Sequence, residues 1–162
     1  MSGREEVVVI PLGNRFRGDD GAGPAIADRL RGTPGCRIVE GVEDALAIIA
    51  AWENAGLAIV LDAALSGAPA GAVHRIEAGE GPLPRDLARC SSHGLGLAEA
   101  VELGRALNRL PARLVVYAIE AGDMGSGAGL SPPVAAVVGE VARQVQAEIA
   151  GCLGEETCTK PR

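Results

Sequence analysis

Short runs of apolar residues alternate along the chain with longer amphipathic stretches. Most of the runs are rich in β-branched residues, which is typical of strands, and some are apolar throughout, as in strands buried on both faces. The amphipathic stretches repeat apolar residues every three to four positions, which predicts helices. The predicted strands cover residues 6–11, 36–40, 57–62, 72–77 and 114–119, and the predicted helices cover residues 20–31, 44–54, 93–108 and 132–150.

This order of elements predicts an α/β fold with three layers, α/β/α. A mostly parallel, twisted five-stranded sheet has helices on both faces. The mixed polarity of residues 72–77 indicates an edge strand, with His74 facing solvent. A chain of 162 residues is long enough for one core, so residues 1–150 are predicted to form a single domain. Residues 151–162 are polar and are predicted to be a flexible tail.

Three polar side chains fall where the predicted parallel strands end or where a helix begins. Asp20 follows the first strand, Asp62 closes the third, and His93 begins the third predicted helix. The carboxyl ends of parallel strands share one edge of a sheet, and ligands bind there. Two carboxylates and an imidazole are a plausible ligand set for zinc, nickel or another divalent ion. The alternative is that these residues have only structural roles. Asp62 would then be a capping acid at the end of a strand, and His93 would be a first-turn histidine bonded to the backbone.

The turn after the first strand is glycine-rich but lacks the spacing of either common phosphate-binding loop. It carries adjacent carboxylates, Asp19 and Asp20, which suit a cation better than a phosphate. The alternative is that both acids only cap the following helix and interact with its dipole. Several other acids are predicted to be caps or solvated surface residues: Glu40, Glu43, Asp44, Glu120 and Asp123.

Composition narrows the choice of partners. The formal net charge is −6 and no basic cluster alternates with aromatic residues, so nucleic-acid binding is disfavoured. The first residues pass from charged side chains into a short strand, without a signal sequence or a membrane span, and a cytoplasmic location is expected.

The four cysteines lack metal-binding spacing and are predicted to be core or tail residues. Only three aromatic residues occur, so the core must consist of smaller apolar side chains.

Nucleophilic catalysis is less well supported. Ser126 lies between two glycines, but the residue two positions before it is Met124, so the nucleophile-elbow pattern is not satisfied. Cys90 precedes His93 by three residues, and nothing in that spacing would activate the thiol.

Four segments, in order along the chain, resemble the hydrogenase maturation protease family. They are LGNRFRGDDGAG at 12–23, IVLDA at 59–63, SHGLGL at 92–97 and GLSP at 129–132. The similarity extends from about residue 7 to residue 149. Two departures stand out. Pro11 replaces the first glycine of the family's G-x-G-N turn, and residues 41–44 replace a G-G-T-like turn that helps select the hydrogenase partner.

The resemblance implies an endopeptidase that removes a short C-terminal extension from the large-subunit precursor of a nickel–iron hydrogenase after nickel insertion. Family members contact the nickel with three residues, which match Asp20, Asp62 and His93 here. The nickel is expected to be presented by the precursor, so the resting protein is expected to be metal-free. The alternatives are a non-catalytic metal-binding or delivery module with the same three ligands, and a nucleotide- or small-molecule-binding α/β domain.

Overall fold

The computed structural model describes residues 6–79, 81–84, 96–125, 127 and 129–155. It contains five strands and four α-helices among these residues. In chain order they are β1 (Val7–Pro11), α1 (Ala22–Leu30), β2 (Cys36–Ile38), α2 (Ala45–Trp52), β3 (Leu57–Ala64), β4 (Val73–Glu77), α3 (Leu97–Ala106), β5 (Arg113–Glu120) and α4 (Pro132–Glu155). A 3-10 turn, Gly18–Gly21, precedes α1.

The five strands form one sheet in the order β2-β1-β3-β5-β4. All neighbouring strands are parallel except β4, which runs antiparallel to β5 at the edge. The prediction of a mostly parallel sheet is confirmed. The register places Asp62 of β3 and His74 of β4 on either side of Ala118 in β5. Since side chains alternate between the faces of a strand, all three lie on the same face of the sheet.

Helices cover both faces of the sheet, as predicted. Helices α1 and α4 pack on one face and α2 and α3 pack on the other, so that two apolar clusters sandwich the sheet. The central strands β1, β3 and β5 are buried because they lie between these layers. Gly23 lets α1 approach closely, since a Cβ there would lie 2.5 Å from the Leu61 carbonyl oxygen and 2.6 Å from that of Leu12.

Several boundaries differ from the predictions. Strand β3 continues two residues past Asp62 because Ala63 and Ala64 pair with the end of β5. Helix α4 continues to Glu155, so the predicted tail is helical over residues 151–155, and residues 156–162 are outside the described part. The third helix is described from Leu97 onward, and His93 lies outside the described residues. None of the described helices has both the length and the apolar character needed to span a membrane.

Candidate active site

Four acidic side chains are buried at the carboxyl edge of the sheet. They are Asp19, Asp20, Asp62 and Glu120, and they are the only charged residues classed as buried in the part of the chain that the structure describes. Burying a carboxylate is costly unless hydrogen bonds or a cation compensate for lost hydration. The partners of each acid therefore indicate whether it has a structural role or is available for chemistry.

Asp20 lies in the 3-10 turn and is held against the loop that follows β1. The Asn14 N–H donates to its Oδ2 at 2.9 Å. Gly13 has a φ of +114°, and a Cβ there would lie 2.0 Å from the backbone oxygen of Asp20 and 3.4 Å from its Oδ1. The N-cap residues of this turn and of α1 are Arg17 and Gly21, so neither aspartate occupies an N-cap position, although both lie in the first turn of the 3-10 segment.

Asp62 lies inside β3, at the level where β1 has already ended. Its predecessor Leu61 pairs with the last residue of β1 and accepts a hydrogen bond of 2.8 Å from the Leu12 N–H. Asp62 thus comes directly after the residue that bonds to the Leu12–Gly13 turn, and Asp20 packs on that same turn. Burial raises the pKa of Asp62 to about 7; the Ala63 N–H bonded to Oδ1 at 2.8 Å opposes this shift, and the charge of Asp20 adds to it. The two acids therefore interact electrostatically.

Asp19 has a different role, because its carboxylate is fully engaged by the segment before α4. Oδ2 accepts the N–H groups of Gly122 and Asp123 at 2.8 Å and the Ser131 hydroxyl at 2.7 Å, and Oδ1 accepts the Ser131 N–H at 2.7 Å. Burial alone would raise its pKa, but these hydrogen bonds outweigh it and hold the pKa of Asp19 below its usual value. Asp19 fastens the first loop to the loop after β5, which supports the neighbouring Asp20.

Glu120 and His74 correct two predictions. Glu120 is buried rather than solvated, and its carboxylate accepts both the N–H and the hydroxyl of Ser66. His74 has only 31% of its side chain exposed, and its buried Nε2 lies 3.6 Å from Glu120 Oε1. The same signal that singled out Asp62, an apolar strand closing on an acid, was also present for Glu120. By contrast, Asp44 does cap α2, as predicted, accepting the Ala47 N–H at 2.8 Å.

The structure thus brings together two of the three predicted ligands. Asp20 and Asp62 share the carboxyl edge, whereas His93 is outside the described residues and stays a prediction. Among the described residues, no group of three potential metal-ligating side chains is found.

Gly13→Ala is expected to displace Asp20 and to impair its function. The new Cβ would overlap the Asp20 carbonyl, and alanine is strained at this φ. We expect a loss of about 1–3 kcal/mol in unfolding free energy, together with a loss of any activity that depends on Asp20. Gly32→Ala is the matched control, since Gly32 also has a positive φ, +83°, but its Cβ would meet no atom within 4 Å. Thermal melts and activity assays of both variants test this, and equal activity would contradict it.

The fold and this edge define a class of protein: an α/β domain that presents a buried pair of carboxylates at the ends of parallel strands, as in enzymes that bind a cation or activate water there. The HycI family model, described as hydrogenase maturation protease, matches residues 25–148. The chain therefore belongs to the hydrogenase maturation protease family. Its members are peptide hydrolases of hydrogenase maturation. The matched span contains Asp62 and the position of His93 but begins after Asp20.

Solved structures with the same fold agree with this family. The hydrogenase maturating endopeptidase HybD from Escherichia coli has a TM-score of 0.77 at 22% identity, over 90% of this chain and 93% of that one. An endopeptidase from Escherichia coli has a TM-score of 0.78 at 23% identity, over 93% of both chains. The HybD protease from Thermococcus kodakarensis has a TM-score of 0.68 at 22% identity, over 89% and 99%. No curated protein sequence matched significantly.

Proposed function

We propose that this protein removes the C-terminal extension of a nickel–iron hydrogenase large-subunit precursor after nickel insertion. In this proposal the nickel belongs to the precursor, and Asp20, Asp62 and His93 recognise it. The observation that carries the proposal is the buried pair Asp20 and Asp62, in which burial and the charge of Asp20 raise the pKa of Asp62 to about 7. A divalent cation between the two carboxylates would relieve both the repulsion and the lost hydration.

The imidazole of His93 and the carboxylates of Asp20 and Asp62 are suitable ligands for a divalent transition-metal ion. Imidazole is a good ligand for nickel, and two carboxylates neutralise the charge of a divalent ion. A metal ion supplies charge that polarises a scissile carbonyl or lowers the pKa of water. Requiring the metal to complete the site would also make cleavage depend on a loaded precursor.

In this proposal the chain's own residues hold the metal ion in position and remove a proton from the attacking water. Asp20 is held by the Asn14 N–H and by the close approach of Gly13, so its carboxylate has little freedom to move. Asp62 is fixed by the Ala63 N–H and, with a pKa near neutrality, can exchange a proton at physiological pH. A group with that pKa is suited to act as a general base toward water. Asp62 is therefore the residue that we assign either to binding the ion or to taking the proton from water.

The test is to incubate the purified protein with a nickel-loaded precursor and to determine the mass of the large subunit. We expect a short C-terminal peptide to be lost from the loaded precursor and not from one lacking nickel. Asp20→Ala, Asp62→Ala and His93→Ala should each slow the cleavage at least about 100-fold, as expected for first-sphere ligands. Glu140→Ala, which removes an exposed acid from α4, should leave the rate unchanged.

Two results would count against the proposal. If the loaded precursor keeps its mass while nickel moves to this protein, the function is metal delivery rather than proteolysis. If cleavage proceeds equally with the nickel-free precursor, recognition of the metal is wrong even though the protein is a protease.

A further inference from the structure

Phe16 is unusual among the aromatic residues of this chain. Its side chain is 71% exposed, whereas Trp52 and Tyr117 are buried in the core. Most of this side chain gains nothing from burial in the free protein, and aromatic residues at interfaces often contribute much of the binding energy. The single phenylalanine of the chain is therefore exposed beside the candidate active site, where it could contact a partner.

The loop that carries Phe16 is fastened on both sides. The Phe16 N–H donates to Asn14 Oδ1 at 2.9 Å, and the Phe16 carbonyl accepts the Gly127 N–H at 2.9 Å. The Gly18 N–H in turn donates to the Gly127 carbonyl at 2.9 Å. The backbone around Phe16 is thus held before any partner arrives, and a preorganised anchor loses less conformational entropy on binding.

Phe16 is also on the rim of the candidate active site. It lies four residues before Asp20, and it lines a depression of about 500 Å³ together with Gly13, which contacts Asp20, and with Val42 from the segment after β2. Other large apolar side chains are exposed at the same edge of the sheet. They are Leu46 at the start of α2, Leu65 after β3 and Val73 at the start of β4.

Two arginines, Arg15 and Arg17, flank Phe16, whereas the acid Glu43 also lines the depression beside it. Arg17 is exposed, and none of the ion pairs found between described residues involves it. Arg15 also reaches the surface but is paired with Asp28 and Glu40. A partner surface that complements Phe16 and Arg17 would have an apolar pocket for the ring and acidic residues at the rim of that pocket.

We propose that Phe16 is the anchor by which this protease docks on the folded precursor, with Arg17 facing an acidic rim on that protein. This inference rests on the proposed function and adds the recognition of the precursor's surface to the recognition of its metal. A docking residue outside the catalytic set contributes to binding of substrate and transition state alike. Its removal therefore raises KM and leaves kcat nearly unchanged.

The experiment measures kcat and KM for the nickel-loaded precursor. Phe16→Ala is expected to raise KM about 10- to 50-fold with kcat within about threefold, and Phe16→Leu should restore most of the affinity. Arg17→Glu should raise KM more at low salt than at high salt. Leu107→Ala is the matched control, because Leu107 is also exposed but follows α3, whose C-terminal end lies at the opposite edge of the sheet. This control should change neither constant.

Binding to the precursor gives a second readout that does not depend on cleavage. Asp62→Ala protein loses one contact to the nickel but should still bind the precursor through Phe16, and adding Phe16→Ala should weaken that remaining binding by the same factor as the change in KM. Unchanged KM and binding in Phe16→Ala would overturn the inference while leaving the proposed function intact. A wild-type protein that binds the precursor without cutting it would instead remove the proposed function. If Phe16→Ala alters only self-association of the protein, the anchor serves a second copy of the chain, and the inference is wrong.

Discussion

Asp62→Asn is expected to abolish processing and, at the same time, to raise the melting temperature of the metal-free protein above pH 7. The pKa of Asp62 is raised from 3.8 to about 7 on folding, mainly by burial. Between these values the folded protein keeps a proton that the unfolded chain has released. The contribution of Asp62 to stability is thus fully present below about pH 4 and is lost as pH rises toward 7.

The size of this effect follows from the shift in pKa. One pKa unit corresponds to about 1.4 kcal/mol, so the rise from 3.8 to about 7 means that an ionised Asp62 lowers the unfolding free energy by about 4 kcal/mol. For a domain of this length, this corresponds to about 5–15 °C in melting temperature. Asparagine has nearly the same shape and never ionises, so the variant should not lose this contribution as pH rises.

The measurement is a series of thermal melts of the wild type and of Asp62→Asn in chelator, from pH 4 to pH 9. The melting temperature of the variant should exceed that of the wild type at pH 8, and the difference should shrink toward pH 4. Glu102→Gln, which replaces an exposed acid on α3, should show little difference at any pH. A difference between Asp62→Asn and the wild type that is constant across pH would show that burial of the charge is not the cause. Stability gained by losing a functional group is the usual trade-off at an active site.

Asp19→Ala is expected to destabilise the protein by about 3–5 kcal/mol. The substitution leaves three backbone N–H groups and the Ser131 hydroxyl without their acceptor in a buried region. These groups tie the first loop to the segment before α4, so we also expect Asp20 to lose its fixed position and processing to slow. Asp19→Asn keeps one carbonyl oxygen and should lose less stability.

Urea denaturation at pH 7 measures this loss. Glu53→Ala is the comparison, because Glu53 is an exposed acid paired with Arg109 and its loss should change the stability little. Since the pKa of Asp19 is lowered on folding, its contribution is present above about pH 4 and disappears as pH falls through the folded value. The difference between the wild type and Asp19→Ala should therefore narrow in acid. Equal stability of the Asp19→Ala and Glu53→Ala proteins would contradict the structural role of Asp19.

Local pattern was sufficient to predict the elements and their order. The apolar run from Leu57 and the alternation of strands with helices predicted a mostly parallel sheet, and the structure confirms it. That topology by itself placed Asp20 and Asp62 at one edge, because parallel strands end together. The end of β3 was missed because Ala63 and Ala64 are strand residues only through their pairing with β5, and sequence-local signals do not report that pairing.

The sequence by itself determined the layers, the order of the elements along the chain, and the edge at which the acids lie. Only the tertiary structure decided which of the adjacent acids has a structural role and which belongs to the candidate active site. Asp19 and Asp20 are adjacent and chemically identical, yet Asp19 is satisfied by donors more than 100 positions away, whereas Asp20 packs on Gly13 beside Asp62. Hydrogen-bond donors supplied by distant segments, and the burial that raises the pKa of Asp62, exist only after the chain has folded.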